Sequence, residues 1–249
     1  MITRFFRGMG YFGRGWSAAF GAAGVTQWVL LPALITAIVS IGGTWLTYHW
    51  ATDYVHRQSA GHGAIWGAIV WLGVVLLVLA SAYILYVTSC LLATAPFAGI
   101  LSERTEKSVT GAAIPPATWK EMAALSARGI GHALLGVMLY VVIAVPLFLL
   151  QWFAPPLAPF IWIASIVQAG YFFAFDALNE PLHRRGYGFG AKWSFIGKHT
   201  AETLGFGVAV ALLMMVPFLS IVVTPVAIVG GTLLFLDLDK QGSPKPAAP

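Results

Sequence analysis

Hydrophobic and polar positions in this chain are separated on a scale of tens of residues. Four stretches carry no Lys, Arg, Asp or Glu: between Arg14 and Asp53, between Arg57 and Glu103, between Arg128 and Asp176, and between Glu202 and Asp237. Each exceeds the roughly 20 apolar residues that one helical membrane span requires. The pattern predicts an all-α, polytopic integral membrane protein. Its expected parts are two long transmembrane helices (about residues 25–48 and 64–95), two partly or fully inserted helical hairpins, and an N-terminal amphipathic helix.

The N-terminal helix is predicted from Ile2, Phe5, Phe6, Met9, Phe12, Trp16 and Phe20, which recur at helical spacing with Arg4, Arg7 and Arg14 largely off their stripe. Such a helix lies in the interface with its cations toward headgroups. Gly8, Gly10, Gly13 and Gly15 weaken it as an autonomous helix. After Pro96 the chain turns polar and stops at Gly111, and Thr118 to Glu121 form a capping-box pattern that starts another helix.

The hairpins are predicted from proline placement. From Leu204 to Leu236 there are 33 uncharged residues, with Pro217 and Pro225 inside them. One straight span needs about 20 residues and two full spans with a turn about 45, so the length suits a hairpin that reaches partway in, its apex at 217–225. Non-helical backbone at depth requires protein or a hydrated cavity around it. The third stretch repeats the theme at 153–159, around Pro155, Pro156 and Pro159, with arms long enough for full spans, so either depth fits.

Hairpins return the chain to the side it left, so the N-terminus, residues 96–128, residues 176–203 and the tail share one face. Of the fourteen Lys and Arg, all but Arg57 fall on that face, which the positive-inside rule assigns to the cytoplasm. Residues 1–240 form a single membrane domain, and 241–249 are expected to be a disordered tail.

Composition agrees: 59% of residues are hydrophobic and 9% charged, against roughly 25% charged in soluble domains. Ten Trp and eight Tyr suit the headgroup boundary. The net charge of +5 flanks apolar spans, which points to lipid headgroups as partners and not to nucleic acid. The single cysteine, Cys90, excludes an intramolecular disulfide. The first apolar run is too long for a cleaved signal peptide.

Several constellations carry little chemistry. Gly8, Gly10 and Gly13 match a dinucleotide pattern by letters, without the strand and βαβ unit it needs. His49, Asp53 and His56, with His62 nearby, share a helical face, which suits a polar cap at a membrane exit better than a metal site. Asp176, Glu180 and His183 mark another exit, and Pro181 is expected to interrupt the helix there. Neither a metal nor another cofactor is implied, and no nucleophile–base pair points to an enzyme. Arg184, Arg185, Lys192 and Lys198 are expected at the cytoplasmic face next to helix ends, where they attract either an oxyanion or lipid headgroups.

The run Thr94-Ala-Pro-Phe-Ala-Gly-Ile-Leu-Ser-Glu103, which holds Pro96, Phe97, Gly99 and Glu103, resembles the CysZ sulfate permease family, also described as etoposide-induced-protein-like. Residues 110–116, Gly205-Phe-Gly207, Met215 to Ser220 with Pro217, and Thr224-Pro225 through Thr232 carry the resemblance further, and residues 24–32 resemble the family's entry into its first span. The resemblance implies an inner-membrane homo-oligomer with two spanning helices and two partly penetrating hairpins, passing sulfate or a related oxyanion for cysteine synthesis. It places the anion near Gly24, Val25, Thr26 and Gln27, with Arg184 and Arg185 as further candidates. Two positions depart from it. Thr26-Gln27 stands where the family carries Arg-Arg, and Asn179-Glu180-Pro181 where it tends to Asp-Tyr-Pro. The alternative function is a non-transporting scaffold whose hairpins and interfacial helix shape lipid or recruit partners.

Overall fold

A computed structural model describes residues 1–21, 23–58, 64–111, 119–216 and 219–240. Pro115, Pro116, Thr118, Pro217, His62 and the 241–249 tail lie outside the described residues, as do the side chains of Cys90, Pro96 and Glu121. Eight α-helices are described: α1 Ile2–Gly21, α2 Ala23–Gln58, α3 Ala64–Thr110, α4 Trp119–Phe153, α5 Ala158–Arg184, α6 Phe189–Lys198, α7 Thr200–Met214 and α8 Ser220–Lys240. A 3₁₀ turn, Pro155–Leu157, joins α4 to α5, where the sequence predicts a proline turn. Five helical segments are long and apolar enough to cross a membrane: Gly24–Arg57, Trp66–Ser89, Leu135–Phe153, Pro155–Arg184 and Ser220–Lys240.

The chain forms two compact units, residues 30–97 and residues 1–29 with 98–249. In the first, α2 and α3 run antiparallel. Thr36 Oγ1 donates to the Ser89 carbonyl at 3.4 Å, Leu85 fills the space over Gly43, and Ala51 and Val55 pack on Val74. Its remaining surface is apolar, with Leu34, Ile38, Leu72 and Leu76 exposed, as suits a surface whose solvent is lipid.

Both helices are longer than the sequence predicts. α2 continues past Tyr48 to Gln58, with Thr52 Oγ1 bonded to the Tyr48 carbonyl at 2.9 Å and His49 stacked on Trp45. α3 runs unbroken beyond residue 95 to Thr110. Propagation adds a hydrogen bond per residue fixed, so leaving the apolar layer does not by itself end a helix. Gly111 ends α3 at φ +66, its amide donating to the Lys107 carbonyl at 3.0 Å.

In the second unit, α1 packs on α7 and α8, and α5 on α4, α7 and α8. Small residues make the crossings. A Cβ on Gly205 would collide with the Phe5 carbonyl, one on Gly8 with the Glu202 carbonyl, and one on Gly207 with the Gly170 carbonyl. Helices in lipid gain little from burying large apolar side chains against each other, so close backbone approach at small residues holds them together. Phe206, Phe235, Leu178, Leu182 and Leu101 fill the core between these crossings.

Three expectations are corrected here. First, α1 buries one face against protein beside its exposed apolar stripe. Gly8, Tyr11, Phe12, Gly15 and Ala19 meet the protein, whereas Ile2, Phe6, Trp16 and Phe20 of the predicted stripe stay exposed beside them. Second, Pro181 does not interrupt α5. It removes the helical donor to the Ala177 carbonyl, and α8 covers that oxygen with Gly231, where a Cβ would sit 2.7 Å away. Third, Pro225 is buried inside α8 and not at an apex. α7 ends at Met214, where the Val216 amide donates to the Leu213 carbonyl at 3.1 Å, and α8 begins at Ser220.

Candidate functional site

A polar cluster of the second unit forms where α5 ends. Residues Arg184-Arg185-Gly186-Tyr187 terminate that helix. Gly186 takes φ +77, its amide donating to the His183 carbonyl at 2.9 Å, and the Tyr187 amide donates to the Leu182 carbonyl at 3.1 Å. This pair of bonds with a left-handed glycine is a Schellman cap. It fixes the two arginines at the negative end of the helix dipole, where cations are favoured.

Both guanidinium groups converge on one carboxylate from α3. Arg184 Nη2 donates to Glu106 Oε2 at 2.9 Å and Arg185 Nη2 to Glu106 Oε1 at 2.9 Å. Arg184 Nη2 also donates to Ser102 Oγ at 2.8 Å, and the hydroxyls of Ser102 and Thr232 are 2.9 Å apart. Arg185 is held further by Asp239 of α8 at 3.8 Å and by the Phe235 ring, 4.3 Å from its guanidinium carbon. Arg184 Nε is buried and has no hydrogen-bond partner among the described residues.

A second polar pair adjoins it. Lys192 of α6, expected at the cytoplasmic face, is instead fully buried, and its ammonium donates to Asn179 Oδ1 at 2.6 Å. Burial pulls its pKa down to about 8, with Glu180 acting the other way. The Glu180 carboxylate lies 3.5 Å from where a Cβ on Gly99 would sit, so this resemblance-motif glycine leaves room for an acidic side chain of α5. Lys198 is exposed.

The other predicted anion residues sit on the first turn of α2. Gly24 and Gln27 are exposed and Val25 is buried. Thr26 Oγ1 donates to the Ala19 carbonyl at 2.9 Å, satisfying an orphan acceptor in the last turn of α1. One turn on, Arg104 of α3 places its guanidinium carbon 5.9 Å from the centre of the Trp28 ring. Sequence reasoning missed this cation because nothing local links residues 28 and 104.

Of the remaining motif residues, Phe97 and Glu103 are half-buried and Pro225 is buried. The glycine and threonine motif positions define packing seams: Gly205 and Gly230 face α1, Gly207 and Gly231 face α5, and Thr232 reaches α3. His49 and His56 face Trp45 and Trp71, and Asp53 is exposed. No metal-binding group of three or more His, Cys, Asp or Glu occurs among the described residues.

Long apolar helices, glycine-seamed packing and charges gathered into a half-buried arginine–carboxylate cluster define a multi-spanning helical membrane protein. The chain belongs to the sulfate transporter CysZ/etoposide-induced protein 2.4 family, whose model matches residues 11–225. It is 29% identical over 240 residues to a protein of Pectobacterium atrosepticum named sulfate transporter CysZ, covering 92% of this chain and 84% of that one. A protein of the same name from Salmonella paratyphi A is 23% identical, with 92% of each chain covered. One from Pseudomonas aeruginosa is 27% identical over 172 residues, or 68% of each chain.

Proposed function

We propose that this protein is a membrane permease for sulfate or a closely related tetrahedral oxyanion, working without a cofactor. The observation that carries this is the 29% identity to a protein named sulfate transporter CysZ along 92% of the chain. The arginine pair is chemically apt, because guanidinium groups offer forked donors that match oxyanion edges. Arg184 and Arg185 are the principal anion residues in this reading. The first-turn amides of α2 at Gly24 to Gln27 form an attracting station, with Arg104 as the nearby cation.

In the bacterial inner membrane, α2 and α3 cross fully and both termini face the cytoplasm, where the positive-inside rule puts the lysines and arginines. The 15 residues of α7 extend about 22 Å, short of a hydrocarbon core of about 30 Å, so the α7–α8 hairpin enters partway. α8 is sheltered by protein, with 72% of its most apolar window buried against 6% for Trp66–Ser89. The exposed stripe of α1 rests in the headgroup layer, and copies of the chain assemble as homo-oligomers. The deciding experiment is radiolabelled sulfate uptake into liposomes holding the purified protein, with selenate and sulfite as competitors. Uptake above empty liposomes that selenate suppresses is expected. Equal uptake with and without protein for every oxyanion overturns the reading.

A further inference from the structure

Glu106 occupies the arginine pair in the manner of a bound anion. Its two oxygens each take one guanidinium donor at 2.9 Å, one from Arg184 and one from Arg185. We infer that Glu106 is a tethered competitor, a carboxylate of the protein that fills the oxyanion site and is displaced when a tetrahedral dianion binds. The inference rests on the permease reading for its physiological meaning, although the binding step stands on local geometry.

Three features support displacement over a purely structural bridge. The first is that the arginines do not depend on Glu106 for position. Arg184 keeps Ser102 at 2.8 Å, and Arg185 keeps Asp239, the Phe235 ring and the Pro181 carbonyl at 3.5 Å. Their backbone is fixed by the Gly186 cap. When the carboxylate leaves, the site remains formed, and a preorganised site loses little affinity to reordering.

The second is that the carboxylate underuses the site. Arg184 Nε is buried with no partner among the described residues, a donor that two oxygens already engaged elsewhere leave unsatisfied. A tetrahedral oxyanion brings four acceptor oxygens to the same two forks. It also carries two charges where Glu106 carries one, and so matches both guanidinium groups. The third is that Glu106 has an exit. Its side chain keeps 17% of its exposure, so the displaced carboxylate reaches water without passing through the core.

The consequence is selectivity. A monovalent anion offers the arginines no more charge than Glu106 already supplies and has to displace a tethered rival, whereas a dianion gains on both counts. Displacement also releases the two ion pairs that Glu106 of α3 makes with the arginines at the end of α5, while the Arg184–Ser102 bond still joins the two helices.

The test is sulfate binding to the full-length protein in detergent, by calorimetry, for wild type, E106Q, E106D and E106Q/R184Q/R185Q, with gel filtration to confirm folding. E106Q removes the charge and keeps the shape. It is expected to bind sulfate at least tenfold more tightly than wild type and to bind perchlorate with a smaller gain, and the triple variant is expected to lose the gain. If E106Q does not elute as a folded species, E106D decides: its shorter tether is expected to give about threefold tighter binding. Sulfate affinity in the folded variant equal to or weaker than that of wild type overturns the inference, as does a gain that survives loss of both arginines. Liposome flux separates this from the permease reading. Tighter binding by E106Q with no flux from any variant retains the displaced-carboxylate site and removes transport, whereas flux with no gain in E106Q does the reverse.

Discussion

The Lys192 ammonium and the Asn179 side-chain oxygen form a 2.6 Å hydrogen bond with the lysine wholly out of solvent. Ten residues on α6 and a turn of α5 thereby share one buried charge, with Glu180 nearby as the partial counter-ion. Removing one member of such a pair strands the other. Lys192→Met is therefore expected to destabilise the protein by about 1–3 kcal/mol, the cost of leaving the buried Asn179 oxygen without a donor, and K192M/N179L to recover most of that loss. Thermal unfolding in detergent measures both, and a K192M midpoint within a degree of wild type contradicts the assignment.

The same lysine sets a pH dependence. Its folded pKa of about 8 lies below the ordinary 10.5. Below about 8 both folded and unfolded chains hold the proton and the group adds no slope. Between about 8 and 10.5 the unfolded chain binds a proton that the folded chain has released, so stability rises with pH. Tyr11 acts in the opposite sense. Burial first, then its hydrogen bond to Asp237, pushes the phenol up to about 12 from 10.0. The folded chain keeps a proton that the unfolded chain loses, and stability falls between 10 and 12. The wild-type minus K192M difference in unfolding midpoint is expected to climb from pH 8 to 10, and Tyr11→Phe to remove part of the alkaline decline.

Glu202 anchors α1 to α7. It is 3% exposed and accepts from Arg7 at 3.0 Å, with Arg4 at 3.7 Å. The arginine side chains are 41% and 71% exposed, so losing the carboxylate leaves cations that water can solvate. Losing the cations leaves a buried carboxylate with none of its counter-charge. The double variant R4A/R7A is thus expected to cost more, about 2–4 kcal/mol, than E202Q at about 1–2. Unfolding midpoints in the reverse order contradict the clamp.

Glycines divide into two groups by what surrounds them. Gly207 faces the Gly170 carbonyl so closely that a methyl group displaces backbone, and Gly207→Ala is expected to cost more than about 2 kcal/mol. Gly10 and Gly13 have nothing within 4 Å of a Cβ position. Alanine at either is expected to stabilise α1 by about 0.5–1 kcal/mol through reduced freedom of the unfolded chain. Circular-dichroism melts of the three single variants test both signs.

At the start of α2, Thr26 spends its hydroxyl on Ala19 and Gln27 is exposed. Thr26→Arg with Gln27→Arg adds two cations to the first turn of α2, near Arg104. About tenfold tighter sulfate binding than wild type is expected by calorimetry. An unchanged affinity removes this turn as an anion station.

The long charge-free runs made the spanning helices legible, although α3 continues past the expected end near residue 95 to Thr110. The proline turn before α5 was equally plain, because Pro155 and Pro156 cannot donate within a helix. The division of α1 was not legible. Periodicity sends the whole apolar stripe to the interface, whereas Phe12 of that stripe is buried with Gly8, Tyr11, Gly15 and Ala19 against protein. The arginine cluster was half legible: Arg184 and Arg185 announced themselves as a pair, but their acceptor lies on α3, 78 and 79 residues away. Lys192 was expected at the cytoplasmic face because its partner is set by tertiary packing and not by local spacing.

The seating of α1 has a consequence for how the chain is made. Its partners are the last two helices: Arg7 meets Glu202 across 195 residues, and Tyr11 meets Asp237 across 226. Synthesis delivers α1 first, at about 5–20 residues per second, so its glycine face waits tens of seconds for a surface to pack on. The exposed Ile2, Phe6, Trp16 and Phe20 give it a place to wait, parked on the bilayer beside the ribosome until the final hairpin arrives. A nascent chain stopped short of α7 would leave that helix adsorbed and undocked, open to proteases that the finished protein resists.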